Sequence, residues 1–319
     1  MTDSIPPSQD HGGMASLDNL RQTPHELILP GSGSNARTGV LLVHGLIGTP
    51  AEVRVLAKGL NKQGFTVYAV QLAGHCGTMD DLIATRWTDW LDSVASGLRR
   101  FRGHVDQVVV GGLSMGALLA LAVAEDAPDL VAGVCALSTP FRYDGWSVPL
   151  YTRLSFLLPL FKWLGIGRHS MFLEQPPYGV KDDALRAHIA RQMRDGHRGG
   201  ATTLPGTPWW SVPELHRLSA HTYARLNLLR APCLVLHARE DEISSVSNAQ
   251  DIARLARNSQ VELVLLDNCY HMITIDRERR VVIAKVTQFV AQIALAARGR
   301  AQENGIVPPA HPAFSASIA

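Results

Sequence analysis

The chain has 319 residues, 46% of them hydrophobic and 18% charged, with a net charge of +2 and a pI near 8.4. This is the balance of a globular protein with a sizeable core, and it is too mild for a nucleic-acid binder; the one basic stretch, Arg277 to Arg280, is interrupted by Glu278 and reads as a solvated helix face. Cys76, Cys135, Cys233 and Cys269 show no C-x-x-C spacing, and two of them sit in apolar strand-like runs, so free thiols in a reducing compartment are expected.

The first residues lack the basic start and apolar run of a secretory signal. The most apolar stretch, 154–166, is broken by Pro159 and Lys162 and is too short to span a bilayer. A cytoplasmic protein without a transmembrane segment is the expectation. Residues 1–24, with Pro6-Pro7 and Gly12-Gly13 and no hydrophobic period, read as a loose arm.

An edge strand is expected at 25–30, followed by a fully buried strand at 39–43, a helix at 51–63 stopped by Gly64, and a strand at 65–72. Trp87, Trp90, Leu91, Val94 and Leu98 mark an amphipathic helix at 87–101. Strands at 105–113 and 131–137 flank an apolar helix that runs to about Glu125. The strand–helix rhythm then breaks for some 85 residues of proline-interrupted helical pieces (151–164, 181–194 and 213–226) and a Gly/Thr/Pro stretch at 199–208. It resumes with a strand at 232–238, a helix at 246–257, a strand at 261–266 and a closing helix at 276–297.

The rhythm predicts a mostly parallel, doubly wound α/β sheet carrying an inserted, mainly helical cap. The expected divisions are a core of 25–141 and 226–298, a cap of 142–225, and a loose tail at 299–319.

Chemistry concentrates at the corner between 105–113 and the following helix. Gly112-Leu113-Ser114-Met115-Gly116 fits G-x-S-x-G, a turn so tight that the residues two before and two after the serine must be nearly free of side chain. It lifts the hydroxyl above the strand end and aims the first N–H groups of the helix at an oxyanion formed there. Such a serine needs a histidine to take its proton and an acid to hold that histidine.

Reacting groups in these sheets lie beyond the carboxyl ends of strands, and two strand-end loops supply candidates. One carries Glu240, Asp241 and Glu242, the other Asp267 and His271, giving the order serine, acid, histidine. His271 is the expected general base; the acid is open among Asp241, its two neighbours and Asp267. Met115 is expected to give one oxyanion N–H, and Leu46, in the glycine-bearing loop after Val43, the other. His44 and His75 read as structural.

With these residues the chain resembles the α/β-hydrolase superfamily, in particular small bacterial carboxylesterases and monoacylglycerol lipases. The shared motifs are Leu41-Leu42-Val43-His44-Gly45, Glu52-Val53-Arg54, Gly74-His75, the serine pentapeptide, Glu240-Asp241-Glu242 and the segment from His271 to Asp276, over about 38–142 and 228–295. The resemblance implies an α/β-hydrolase fold, a Ser114, Asp241 and His271 triad, and Leu46 with Met115 as oxyanion donors. Ala117 stands where many such esterases have a second glycine, and the cap is longer than in the smallest members.

The expected activity is cofactor-free and metal-free hydrolysis of a small carboxylic ester with an apolar acyl or alcohol group. A thioesterase or acyltransferase would use the same triad, and a non-catalytic binding protein would keep only the fold. The partner is a small molecule and not a nucleic acid, and the apolar cap leaves room for peripheral membrane contact. Trp146, Phe156, Phe161, Trp163 and the pair Trp209-Trp210 are the candidate apolar lining of the cap.

Overall fold

Continuous β-branched and leucine runs separated by glycine-terminated amphipathic segments fold here as alternating strands and helices. The structure, a computed structural model, describes residues 17–148, 150–194 and 204–303. In chain order its elements are β1 (Leu27–Leu29), β2 (Thr38–Val43), α1 (Arg54–Asn61), β3 (Thr66–Ala69), α2 (Met79–Ile83), α3 (Trp87–Arg102), β4 (Gln107–Leu113), α4 (Met115–Asp126) and β5 (Gly133–Leu137). These are followed by α5 (Leu158–Trp163), β6 (Met171–Leu173), α6 (Asp183–Arg194), β7 (Gly206–Pro208), α7 (Val212–Arg225), β8 (Cys233–Ala238), α8 (Val246–Leu255), β9 (Val261–Leu266) and α9 (Arg279–Glu303).

Among the described residues, seven strands form one sheet in the order β1-β3-β2-β4-β5-β8-β9. Only β1 runs antiparallel to its neighbour; every other pairing is parallel. Apolar side chains of α1 and α9 cover one face, and those of α3, α4, α7 and α8 the other. The expected doubly wound α/β sheet is borne out. β4 lies at its centre, so α4 is buried from Met115 to Glu125 on every side, and its sequence is accordingly apolar all round. α9 is long and apolar enough to cross a membrane by length and composition, yet Val282, Val286, Phe289 and Val290 bury one stripe of it against the sheet.

Three boundaries differ from the sequence reading. The arm expected to be loose through residue 24 forms a 3₁₀ turn at Leu17–Leu20, and Leu20 is fully buried in the core; residues 1–16 lie outside the described residues. The closing helix extends to Glu303, five residues into the expected tail, whose remainder lies outside the described residues. Within the insertion α7 packs on α4, burying Leu215 and Leu218 in the same cluster as the sheet, so this helix belongs to the core layer and not to the cap. The rest of the described insertion comprises a 3₁₀ segment at Leu150–Leu157, α5, α6 and a small antiparallel pair, β6 with β7. The first part of the 199–208 stretch, up to residue 203, lies outside the described residues.

Candidate active site

β4 ends at Leu113 and α4 starts at Met115, leaving Ser114 alone to turn the corner at φ 57° and ψ −123°, a conformation an L-residue holds only under constraint. The constraint is visible at both glycines. A Cβ on Gly112 would collide with the backbone of Gly116, and one on Gly116 with the carbonyl of Val43. That second approach brings the start of α4 against the end of β2, so the loop bearing Leu46 lies beside the helix N-terminus bearing Met115.

His271 joins the serine to the acid. Its Nε2 lies 2.9 Å from Ser114 Oγ, and its Nδ1 lies 2.8 and 3.0 Å from the two Asp241 carboxylate oxygens. The Asp241 carboxylate accepts the Ile243 and Ser244 N–H groups, each at 2.9 Å, which aims it out of the loop after β8. His237, near the end of β8, bonds the Ser244 carbonyl through Nε2 at 2.8 Å and ties the loop back to the strand.

The other carboxylates left open by the sequence point elsewhere. Glu240 pairs with Lys181 at 2.7 Å, and Asp267 pairs with Arg239 at 2.7 Å on the surface. Glu242 is buried and accepts the backbone N–H of His271 at 3.0 Å.

The electrostatics follow from this packing. Burial alone would depress the His271 imidazole, but the charge and hydrogen bond of Asp241, helped by Glu242 and Glu52, outweigh it and raise its pKa to about 9. For Asp241, burial pushes upward and the neighbouring His271 more than reverses it, leaving the carboxyl below its ordinary range. Two further carboxyls share the field. Desolvation raises Glu52, in the loop after β2, to about 7, and raises Glu174, just after β6; each acts electrostatically on the other or on His271.

The two histidines read as structural behave so. His44 is fully buried, accepts the Leu72 N–H at 3.3 Å, and is lowered to about 3 by burial and by His75. His75 bonds the Ala73 carbonyl at 2.9 Å and stands edge-on between His44 and Trp90.

Sequence reasoning gave no role to two groups, Glu52 in the loop after β2 and Asp276, and weighed Glu242 only as a candidate acid, not as the acceptor of the His271 N–H. The buried Asp276 carboxylate takes the N–H groups of Tyr270, Arg277, Lys181 and Asp182, at 2.8 to 2.9 Å. Glu52 and Asp276 lie in the motifs that carry the family resemblance, which is the one signal that marked them. Among the described residues no cluster of His, Cys, Asp or Glu could hold a metal ion.

Comparisons with known proteins agree with this architecture. The chain is similar to a thermostable monoacylglycerol lipase of Bacillus sp. (strain H-257), 29% identical over 83% of this chain and 95% of that protein. It is also similar to a carboxylesterase of Bacillus subtilis (strain 168), 24% identical over 80% of this chain and 92% of that one. Among solved structures, one from work on the metagenome-derived lipolytic enzymes LipS and LipT superposes with a TM-score of 0.67 at 24% identity, covering 84% of this chain and 98% of the other, which establishes the α/β-hydrolase fold. The family model described as serine aminopeptidase, S33, matches residues 34–278, and the chain belongs to that family.

Proposed function

We propose that the protein is a serine hydrolase that cleaves carboxylic esters through an acyl-enzyme. The observation that carries this reading is the single imidazole, His271, bonded through one nitrogen to Ser114 Oγ and through the other to Asp241. The names of the similar proteins, a monoacylglycerol lipase and a carboxylesterase, support an ester over an amide bond.

In this reading His271 Nε2 takes the Ser114 proton as Oγ bonds to the ester carbonyl carbon. The carbonyl oxygen becomes an oxyanion held by the Leu46 and Met115 N–H groups. When the tetrahedral adduct collapses, the carbon–oxygen bond to the alcohol breaks and His271 returns its proton to that alcohol. Water then repeats the attack on the acyl-serine, with His271 again taking the proton, and the carboxylic acid leaves. Asp241 keeps Nδ1 protonated and stabilises the imidazolium in both halves.

The segment from about 142 to β7 serves as the cap over this site. Trp146, Phe156 and Trp163 are 62, 67 and 81% exposed there, a degree of apolar exposure that favours an apolar ester.

The test is hydrolysis of p-nitrophenyl esters from acetate to palmitate by wild type and Ser114→Ala, beside an aminoacyl p-nitroanilide and a pantetheine thioester. Loss of roughly 10⁴- to 10⁶-fold in kcat for the mutant on esters is expected. Preference for the anilide would turn the reading toward an aminopeptidase, preference for the thioester toward a thioesterase, and full activity in the mutant would remove Ser114 from the mechanism.

A further inference from the structure

The loop that carries the Leu46 N–H is built around a carboxyl group. Glu52 reaches back from the 3₁₀ turn Pro50–Val53, and its Oε2 accepts the Gly45 N–H at 2.6 Å. The loop wraps the carboxyl closely: a Cβ on Gly48 would come within 2.6 Å of the same oxygen, so the glycine there makes room for it, and one on Gly45 would sit in contact with it at 3.4 Å. A Cβ on Gly45 would also lie 3.7 Å from Ser114 Cβ, which puts this carboxyl-lined turn directly beside the nucleophile.

The Gly45 carbonyl is held as well, by the Gly48 N–H at 3.2 Å and by His44 Nδ1 at 2.9 Å. The peptide that follows is planar and trans, so its N–H, which belongs to Leu46, must point away from the Gly45 oxygen. Fixing Gly45 at both ends therefore sets the direction of the Leu46 N–H.

Resting on the hydrolase reading above, we propose that Glu52 is a positioning residue of the site: its carboxyl braces the turn 45–48, and with it the Leu46 oxyanion donor, and adds a negative charge facing His271. The groups that face Glu52 are the Gly45 N–H from its own loop, Glu174 from the insertion and His271 from the loop after β9; those that face His271 are Asp241, Glu242, Glu52, Glu174 and, from β8, His237. The negative charge of Glu52 favours a protonated His271, so removing it lowers the pH at which His271 gives up its proton.

The roles separate in two variants. Glu52→Gln keeps a carbonyl oxygen for the Gly45 N–H and removes the charge; Glu52→Ala removes both. Among folded proteins, checked by thermal unfolding, Glu52→Ala is expected to lose roughly 10- to 100-fold in kcat with little change in KM, because the oxyanion forms only after binding. Glu52→Gln should recover most of that loss.

In both variants the His271 imidazole, followed by NMR on ¹³C-labelled histidine, should titrate at lower pH than in wild type. Ester kinetics like wild type in Glu52→Ala, a Gln variant no better than Ala, or an unmoved His271 titration would each overturn the proposal. The NMR titration does not depend on what the protein hydrolyses, and Ser114→Ala tests the hydrolase reading by itself, so the two can fail separately.

Discussion

Asp276 accepts the backbone N–H of Lys181 at 2.8 Å, tying the loop that presents His271 to the insertion between β5 and β8. The same carboxylate takes the Asp182 N–H from the insertion and the Tyr270 N–H from the residue before the histidine. The Met272 N–H reinforces the seam by donating to the Gly179 carbonyl at 2.8 Å. Removing the carboxylate leaves several desolvated donors unpaired, at about 1–3 kcal/mol each before relaxation. Asp276→Ala should therefore lower the thermal midpoint and cut kcat together, while Asp276→Asn, which keeps one acceptor oxygen, should fall between it and wild type. A variant that melts lower yet keeps wild-type kcat would show that the seam supports the fold without positioning His271.

The elbow makes a sharper prediction. Gly112→Ala and Gly116→Ala each drive a methyl into backbone, of Gly116 and of Val43 respectively, and no side-chain motion can relieve that. Both should yield protein that is insoluble or inactive. Gly165→Ala is the control: its φ of +72° taxes any side chain, but nothing lies within 4 Å of the added carbon, so it should cost about 1–2 kcal/mol and leave activity intact. Activity in either elbow variant close to wild type would contradict the packing around Ser114.

The contrast explains what a sequence can carry. The elbow was legible because all its parts are local: a β-branched strand, two glycines around one serine, and an apolar helix. His271 was legible because it follows the last strand. The acid was not separable from its neighbours by position alone, since Glu240, Asp241 and Glu242 share one loop, and only packing sends Asp241 to the imidazole, Glu242 to the His271 N–H and Glu240 out to Lys181. Asp276 and Glu52 were opaque for a related reason: their bonds run to backbone N–H groups, which every residue has. The helical character of α7 could be read, but its partner α4 lies about a hundred residues away, and hydrophobic spacing does not say which surface a helix will meet.

The acid limb of catalysis should be displaced upward. Asp241, Glu242 and Glu52 raise the His271 imidazole, so it should hold its proton to higher pH than a free imidazole and accept the serine proton more readily as the pH climbs. A plot of kcat/KM against pH from 6 to 10 should rise toward the alkaline end. Asp241→Asn should lose activity severely, as it removes both the charge and the correct tautomer, by roughly 10⁴-fold. Glu242→Gln should move the rising limb to lower pH at a modest cost in rate. A wild-type limb centred at or below 6.5, the value of a free imidazole, would show that the carboxylates around His271 do not act on it as a group.

Glu125, at the end of α4, gives the fold its own pH dependence, far from the site. Its side chain is fully buried, with the Arg225 guanidinium no nearer than 3.8 Å, and burial raises its carboxyl from 4.5 to about 8 despite that arginine. Between those two values the folded chain holds a proton that the unfolded chain has lost. Stability is thus complete below about 4.5 and declines as the pH rises toward 8, by on the order of a few kcal/mol in total. Glu125→Gln removes the ionisation and should melt higher than wild type at pH 8 to 9, with the two curves converging near pH 4.5. A Gln variant that is less stable than wild type at pH 9 would mean that the ionised Glu125 and Arg225 stabilise the fold as a pair, and that the burial of this carboxyl carries no penalty.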